Sequence, residues 1–274
     1  MSHLSMLGAR IFYKKLGSSG IPLLFIHGGG CTHYDWEKQL EGLKHNHVVI
    51  ACDLRGHGQS TETDTATCTL PQMATDVGQM IYTLGLDRPI LVGHSYGTRV
   101  AILSAIIHPY LTRGVVLVDG SRVWNGTQTQ VESSLAEWRD VDRRFQRVSD
   151  EFLISRLPES ERQRIAQSMK STSAEVLWAI TRTSAPWEAH ALLAAVAQLD
   201  VPLLAIQSTY HDDKTPRYSL SAGESSPYID LLLNAKPEAE IVVLEGVGHF
   251  SMLEAPNQVN EQIERFASKI ATMK

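Results

Sequence analysis

The residues in this sequence most able to do covalent chemistry are Gly93-His94-Ser95-Tyr96-Gly97. An apolar run, residues 89–95, leads into them, and a helix-like stretch, 96–108, leads out. A serine at a sharp strand-to-helix turn has its hydroxyl exposed, and the turn is too tight for side chains two residues to either side. The helix that follows favours negative charge at its start. These features make Ser95 a candidate nucleophile, the bland alternative being a glycine-rich turn with a passive serine. A second glycine cluster, His27-Gly28-Gly29-Gly30, follows the apolar run 22–28. Its amides, with no side chains in the way, could hold an oxyanion. The expected donors are the amide of Gly29, or Gly30 in its place, together with that of Tyr96. A serine hydroxyl needs a neighbouring base. Of the 11 histidines, His249 stands in a late loop between an apolar run and the last helical stretch, so it is the expected base. His27, His57 and His94 are expected to hold loops.

These residues need a sheet to bring them together. Apolar runs at 10–16, 22–28, 47–54, 89–95, 114–120, 202–208 and 239–246 read as strands, with helix-like stretches at 70–85, 96–108 and 254–271 between them. Runs apolar on both faces predict a parallel sheet covered on both sides. The alternation predicts an α/β, doubly wound, mostly parallel fold. One interval breaks the rhythm. Residues 121–200 hold no convincing strand but carry three amphipathic helical patterns, at 131–148, 159–170 and 173–183. Four of the five tryptophans, Trp124, Trp138, Trp178 and Trp187, lie there. The expected organisation is a core of 1–120 and 201–274 with a helical cap, 121–200, inserted after the strand at 114–120. The tryptophans would form the cap's core, with one or two facing an apolar pocket.

Composition narrows the partners. A net charge of -5 without long basic runs argues against nucleic acid or an anionic membrane. No apolar stretch approaches the roughly 20 residues of a membrane-spanning helix. Cys31, Cys52 and Cys68 are an odd, sparse set, better suited to reduced thiols than to a disulfide framework. The amino-terminal stretch lacks the pattern of a signal peptide. The expectation is a cytoplasmic protein acting on a small molecule, with no metal and with a homodimer allowed.

Taken in order, HGGG at 27–30, DLRGHGQS at 53–60, GHSYG at 93–97 and GVGHF at 246–250 followed by EAP resemble the α/β-hydrolase superfamily over nearly the whole chain. The resemblance implies a Ser–His–acid triad, an acyl-enzyme and no cofactor. It leaves the acid open. Most members place it after the strand that here is 202–208, in a G-x-x-D pattern. Here Ser208 replaces the glycine, and the third residue onward is His211. Asp212 would need one extra residue in the turn and Asp213 two. A minority, including haloalkane dehalogenases and fungal hydrolases of resorcylic macrolactones, places the acid after the preceding strand. Asp119 matches that set, 119 − 95 = 24 residues beyond Ser95. Relatives of the first kind also carry an Asp there, so both placements stand. The expected catalytic set is Ser95, His249 and Asp119, with Asp212 as the alternative acid. The expected reaction is hydrolysis of an ester or lactone of a small apolar or aromatic substrate. Alternatives on this fold are a carbon–carbon bond hydrolase, a cofactor-free lyase or oxygenase, and a hormone-receptor-like ligand binder. Serine in place of a carboxylate nucleophile argues against epoxide hydrolase and dehalogenase activity.

Overall fold

Short, fully buried and mainly apolar strands build the centre of the protein. The computed structural model describes residues 2–124, 156–212 and 215–272. Within them the strands are β1 (Ser2–Met6), β2 (Ala9–Leu16), β3 (Leu23–Ile26), β4 (Val49–Cys52), β5 (Thr61–Glu62), β6 (Ile90–His94), β7 (Gly114–Val118), β8 (Leu203–Gln207), β9 (Thr209–Tyr210), β10 (Tyr218–Ser219) and β11 (Glu240–Val243). The main sheet runs β1-β2-β4-β3-β6-β7-β8-β11, with β5 beside β2. From β4 to β11 the pairs are parallel, while β1, β2 and β5 add an antiparallel edge. β9 and β10 form a separate hairpin. The chain leaves β3 toward β4 on one side and then crosses to β6 on the other. Ligands of open α/β sheets bind at such a switch point, beyond the carboxyl ends of the strands. Here those ends are 27–30 and Ser95.

The alternation along each strand explains the layers. Leu24 and Ile26 of β3 face one core, and Leu23 and Phe25 face the other. The first core is closed by α2 (Leu70–Thr83), α3 (Tyr96–Ile107) and α7 (Pro227–Ala235), through residues such as Met73, Val100 and Leu232. The second is closed by α1 (Glu37–Leu43) and α9 (Pro256–Ala271), through Leu40, Ile263 and Phe266. A short α8 (Ser251–Glu254) leads into α9. This is the mostly parallel α/β fold expected.

Between β7 and β8 the described residues form α4 (Glu159–Ser171), α5 (Ala174–His190) and α6 (Leu192–Ala197). α4 and α5 coincide with the patterns at 159–170 and 173–183. The pattern at 131–148, with Trp138, lies outside the described residues. Trp124 and Trp178 pack around Ala185, and Trp187 packs against the first core. Two ion pairs fix the insert to the core. Arg164 of α4 reaches buried Asp35 at 2.7 Å, and Arg99 of α3 pairs with fully buried Glu188 of α5. The Leu70 amide donates to Thr183 Oγ1 at 3.0 Å. β1, α1 and α7 were not foreseen. β1 is an exposed edge, its residues SHLSM lacking the doubly apolar signal of the central strands.

Candidate active site

Two residues at the ends of adjacent central strands adopt backbone that side chains rarely accept. Ser95, between β6 and α3, has φ 51° and ψ −115°. Asp119, directly after β7, has φ 50°. Each costs roughly 1–3 kcal/mol and persists only where the surroundings over-determine it. The Ser95 amide donates to Val118 O at 3.1 Å, and the Asp119 amide donates to Ile206 O at 2.8 Å, so each turn is tied to the next strand. A Cβ on Gly93 would lie 2.3 Å from Gly97 O, and one on Gly97 would lie 2.3 Å from Ile26 O. Glycine at both positions is therefore a packing requirement of the turn at Ser95.

His249 lies in the loop between β11 and α8. Its carbonyl accepts from His94 Nε2 at 2.9 Å, and the two rings meet at 4.8 Å between centroids, tilted by 45°. This sets the His249 ring beside the residue preceding Ser95. Nδ1 of His249 donates to Asp119 Oδ2 at 2.9 Å, with both side chains buried. Asp119 is further clamped: Oδ1 accepts the amides of Ser208 (3.0 Å) and Thr209 (2.8 Å), and Oδ2 accepts the Thr209 hydroxyl (3.0 Å). Burial raises its proton affinity, opposed by the Arg217 charge and those two amides. Burial also holds the His249 ring well below the ordinary histidine range, with Arg217 and Arg99 pushing the same way. An imidazole whose Nδ1–H is committed to a carboxylate offers Nε2 as its proton acceptor.

Asp212 is engaged elsewhere. Its Oδ1 accepts the Thr215 amide at 2.7 Å, and Oδ2 accepts the Tyr210 hydroxyl at 2.7 Å, closing the β9–β10 hairpin. Asp213 lies outside the described residues. Ser208, which stands at the glycine position of the expected G-x-x-D pattern, uses its amide on Asp119 and its hydroxyl on Gly248 O, at 2.8 Å. The hairpin thus serves Asp119 by donating to it.

The glycine loop packs on the start of α3. A Cβ on Gly28 would meet Ser95 Cβ at 3.3 Å, and one on Gly29 would meet Tyr96 Cβ at 3.7 Å. Tyr96 is the first residue of α3, so its amide has no partner within the helix. Gly30, at φ 74°, has its carbonyl held by Ser168 Oγ of α4 at 2.9 Å. A Cβ on Gly29 would also touch Ile180, and one on Gly30 would touch Met169, both at 3.3 Å. The insert therefore lies directly on this loop.

His27 and His57 hold backbone, as expected. His27 accepts the Leu54 amide at Nε2 (2.9 Å) and donates from Nδ1 to Gly28 O (2.7 Å). His57 donates to Arg55 O at 3.0 Å. Burial pushes His27 and His94 each down to about 3. Sequence reasoning missed Thr209, Arg217 and the Arg99–Glu188 pair. Nothing around Arg217, in TPRYSL, marks it in the chain; only folding of the hairpin brings it to His249.

A family model described as "Alpha/beta hydrolase family" matches residues 23–262. The chain belongs to that family. Human epoxide hydrolase 4 is 33% identical over 117 residues, which is 41% of this chain and 32% of that protein. The chain thus spans about a third of the length of that curated relative. A 2-(acetamidomethylene)succinate hydrolase of Mesorhizobium japonicum is 26% identical over 258 residues, 90% of this chain and 88% of that one. Among solved structures, the enol-lactonase of Burkholderia xenovorans aligns with a TM-score of 0.78 at 21% identity, covering 97% of this chain and all of its own, a likeness of fold. No described helix of this chain is long and apolar enough to cross a membrane.

Proposed function

We propose that this α/β hydrolase is a serine hydrolase that cleaves carboxylic esters or lactones of small apolar or aromatic molecules. The observation that carries the reading is the buried His249–Asp119 hydrogen bond, 2.9 Å long, beside the strained turn at Ser95. In the proposed reaction Ser95 Oγ attacks the substrate carbonyl as His249 Nε2 takes the hydroxyl proton. Asp119 holds the ring's tautomer and balances the imidazolium without taking that proton. The amides of Gly29 and Tyr96 receive the negative charge that develops on the carbonyl oxygen, with Gly30 shaping the loop. His249 returns its proton to the departing alkoxide, leaving Ser95 acylated. Water, deprotonated by His249, then attacks the acyl carbon. The acid is released and the Ser95 hydroxyl restored. In a lactone the alkoxide stays attached to the acyl group, so a single hydroxy acid leaves.

The insert supports the choice of substrate. Residues 121–200 act, in this reading, as a cap on the core, and Met169 and Ile180 bring apolar groups onto the glycine loop. Such a lining suits an apolar acyl group. A serine at the turn argues against epoxide opening, which needs a carboxylate nucleophile, despite the likeness to epoxide hydrolase 4. The hydrolase and lactonase relatives point the same way as the site. Three buried free thiols, Cys31, Cys52 and Cys68, support a reducing, cytoplasmic setting.

The test is turnover of 4-nitrophenyl acetate and of a simple aromatic lactone by wild type and by Ser95→Ala. Wild type should turn over at least one of them, and Ser95→Ala should fall to background. Equal rates for the two proteins on both substrates would overturn the reading.

A further inference from the structure

Hydrolysis of this kind requires His249 and Asp119 but places no demand for a cation beside them. Yet a buried arginine stands there. Arg217 lies just ahead of β10 and is 8% exposed. Its Nη1 donates to Thr209 Oγ1 at 2.7 Å and lies 3.1 Å from His249 Nδ1. A guanidinium has donors only. When His249 Nδ1–H donates to Asp119, the approach of Arg217 to the same nitrogen is a contact of charge with ring. It becomes cation against cation once the imidazole is protonated.

The hydroxyl between them has only one consistent arrangement. Thr209 has a single proton, which goes to Asp119 Oδ2 at 3.0 Å, and its lone pair takes the Arg217 N–H. The relay therefore runs from Arg217 through Thr209 to Asp119, alongside the bond from His249 to the same oxygen. We propose that Arg217 is a positioning residue of this site, holding Thr209 on Asp119 and by its charge keeping a resting proton off His249, so that the site is set to work in acid. The catalytic consequence rests on the ester-hydrolase reading, but the effect on the ring does not.

The groups facing His249 come from several elements. Asp119 at the end of β7 favours the imidazolium. Burial opposes it most, then Arg217, and then Arg99 of α3, whose own charge is matched by Glu188 of α5. His94 at the end of β6 and His211 after β9 are held neutral, His94 by burial and then His249, His211 by burial and then Arg217. Glu254 of α8 binds the neighbouring Gly248 amide at 3.0 Å and is itself raised by burial. Of these, only Arg217 is a cation within hydrogen-bonding distance of the ring in the described contacts. A nearby like charge commonly moves a titration by about one pH unit or more.

A cation in this place carries a cost that a merely structural arginine would not. A cation at the ring weakens His249 as a base. Its removal should therefore lower activity in acid and leave it equal or higher above neutral pH. The experiment is a pair of measurements on whole protein: wild type, Arg217→Gln, Arg217→Lys and Arg217→Met. The first follows the His249 ring by NMR on histidine-labelled protein from pH 8 down to the lowest pH at which the fold persists, with no substrate present. The second is the pH profile of kcat/KM on the ester that wild type turns over. We expect the His249 midpoint to rise by about one unit in Arg217→Gln and to stay near wild type in Arg217→Lys. On the acid limb kcat/KM should fall about tenfold in Arg217→Gln, and the two profiles should meet or cross just above the two midpoints. Arg217→Met, which fills the space without charge, gives the same reading if Arg217→Gln does not fold. A midpoint that moves by less than half a unit in the uncharged variants, or that moves as far in Arg217→Lys, overturns the proposal. A loss of kcat/KM uniform across pH does the same, while leaving the hydrolase reading intact. If wild type shows no Ser95-dependent turnover, the hydrolase reading fails and the ring titration alone decides the role of Arg217.

Discussion

Replacing Asp119 with asparagine keeps the shape of the side chain and changes one hydrogen-bonding atom. The outcome can be followed atom by atom. Asp119 Oδ1 accepts two amides, from Ser208 at 3.0 Å and Thr209 at 2.8 Å, so the carbonyl oxygen of the asparagine must take that place. Its NH2 group then falls where Oδ2 was, 2.9 Å from His249 Nδ1. Two donors would face each other unless the imidazole changes tautomer. The ring then accepts at Nδ1 and carries its proton on Nε2, where it can no longer receive the Ser95 proton. Loss of the tautomer in a Ser–His–acid site lowers kcat by roughly 10⁴-fold, equivalent to about 5.4 kcal/mol of barrier. Asp212 offers the contrast. Its carboxylate accepts from Thr215 and Tyr210, so Asp212→Asn disturbs a turn and costs about 1 kcal/mol of stability.

The assay is burst and steady-state release of 4-nitrophenol by wild type, Asp119→Asn, Asp212→Asn and Ser95→Ala, each first checked for folding by circular dichroism. Asp119→Asn should approach Ser95→Ala, while Asp212→Asn stays within a few-fold of wild type. KM should move little in Asp119→Asn, because the change touches proton transfer rather than the bound ground state. If Asp119→Asn retains more than a tenth of wild-type kcat, or if Asp212→Asn collapses while folded, the tautomer argument is refuted and the acid lies elsewhere.

Other perturbations test the frame around the site. Glu188→Ala strips the buried Arg99 of its carboxylate and should cost about 3–5 kcal/mol in urea unfolding, since one partner of a buried pair is left uncompensated; a loss below 1 kcal/mol would show that the pair does not bind insert to core. Gly97→Ala drives a Cβ to 2.3 Å from Ile26 O, a backbone atom that cannot step aside, so soluble yield or Ser95-dependent activity should vanish. Gly223→Ala, with open space around it but φ 72°, should lose only about 1 kcal/mol. His27 and His94, each held down to about 3, lie below the unfolded value of 6.5. The unfolded chain therefore takes up protons first, and the stability these rings supply above pH 6.5 drains away as pH falls toward 3. By pH 5 that amounts to about 2 kcal/mol for each ring. Buried Asp35 and Glu188, raised by burial, act in the opposite sense, so the check is the rings' own NMR titration: midpoints near 6.5 would refute it.

What the chain disclosed about its fold came from local patterns. LLFI is apolar throughout and ILVGH is apolar up to its glycine and histidine, and only strands covered on both faces require that. The Ser95 turn was legible for a related reason. Its glycines answer to backbone contacts within a few residues or across one strand, so the requirement is written in the sequence itself. β1 and α1 were not legible. SHLSM is an exposed edge, and α1 is only seven residues long, too short for its period to stand out.

The acid was the one part of the site that spacing left open, and the reason is physical. Asp119 and Asp212 both follow apolar strands, at neighbouring positions along the same edge of the sheet. What separates them is which donors each carboxylate receives. Those donors are amides and a hydroxyl from Ser208 and Thr209, residues 89 and 90 positions away from Asp119. Backbone amides leave no signature in side-chain identity, so no motif could have announced them. Arg217 was hidden in the same way. Its partners, Thr209 and His249, lie 8 and 32 residues away, one across the β9–β10 hairpin and the other across the following helix and strand. With Asp119 as the proposed acid, the hairpin's departure from the usual G-x-x-D pattern and the arginine just ahead of β10 belong together: a loop that does not supply the acid supplies instead the donors that hold Asp119.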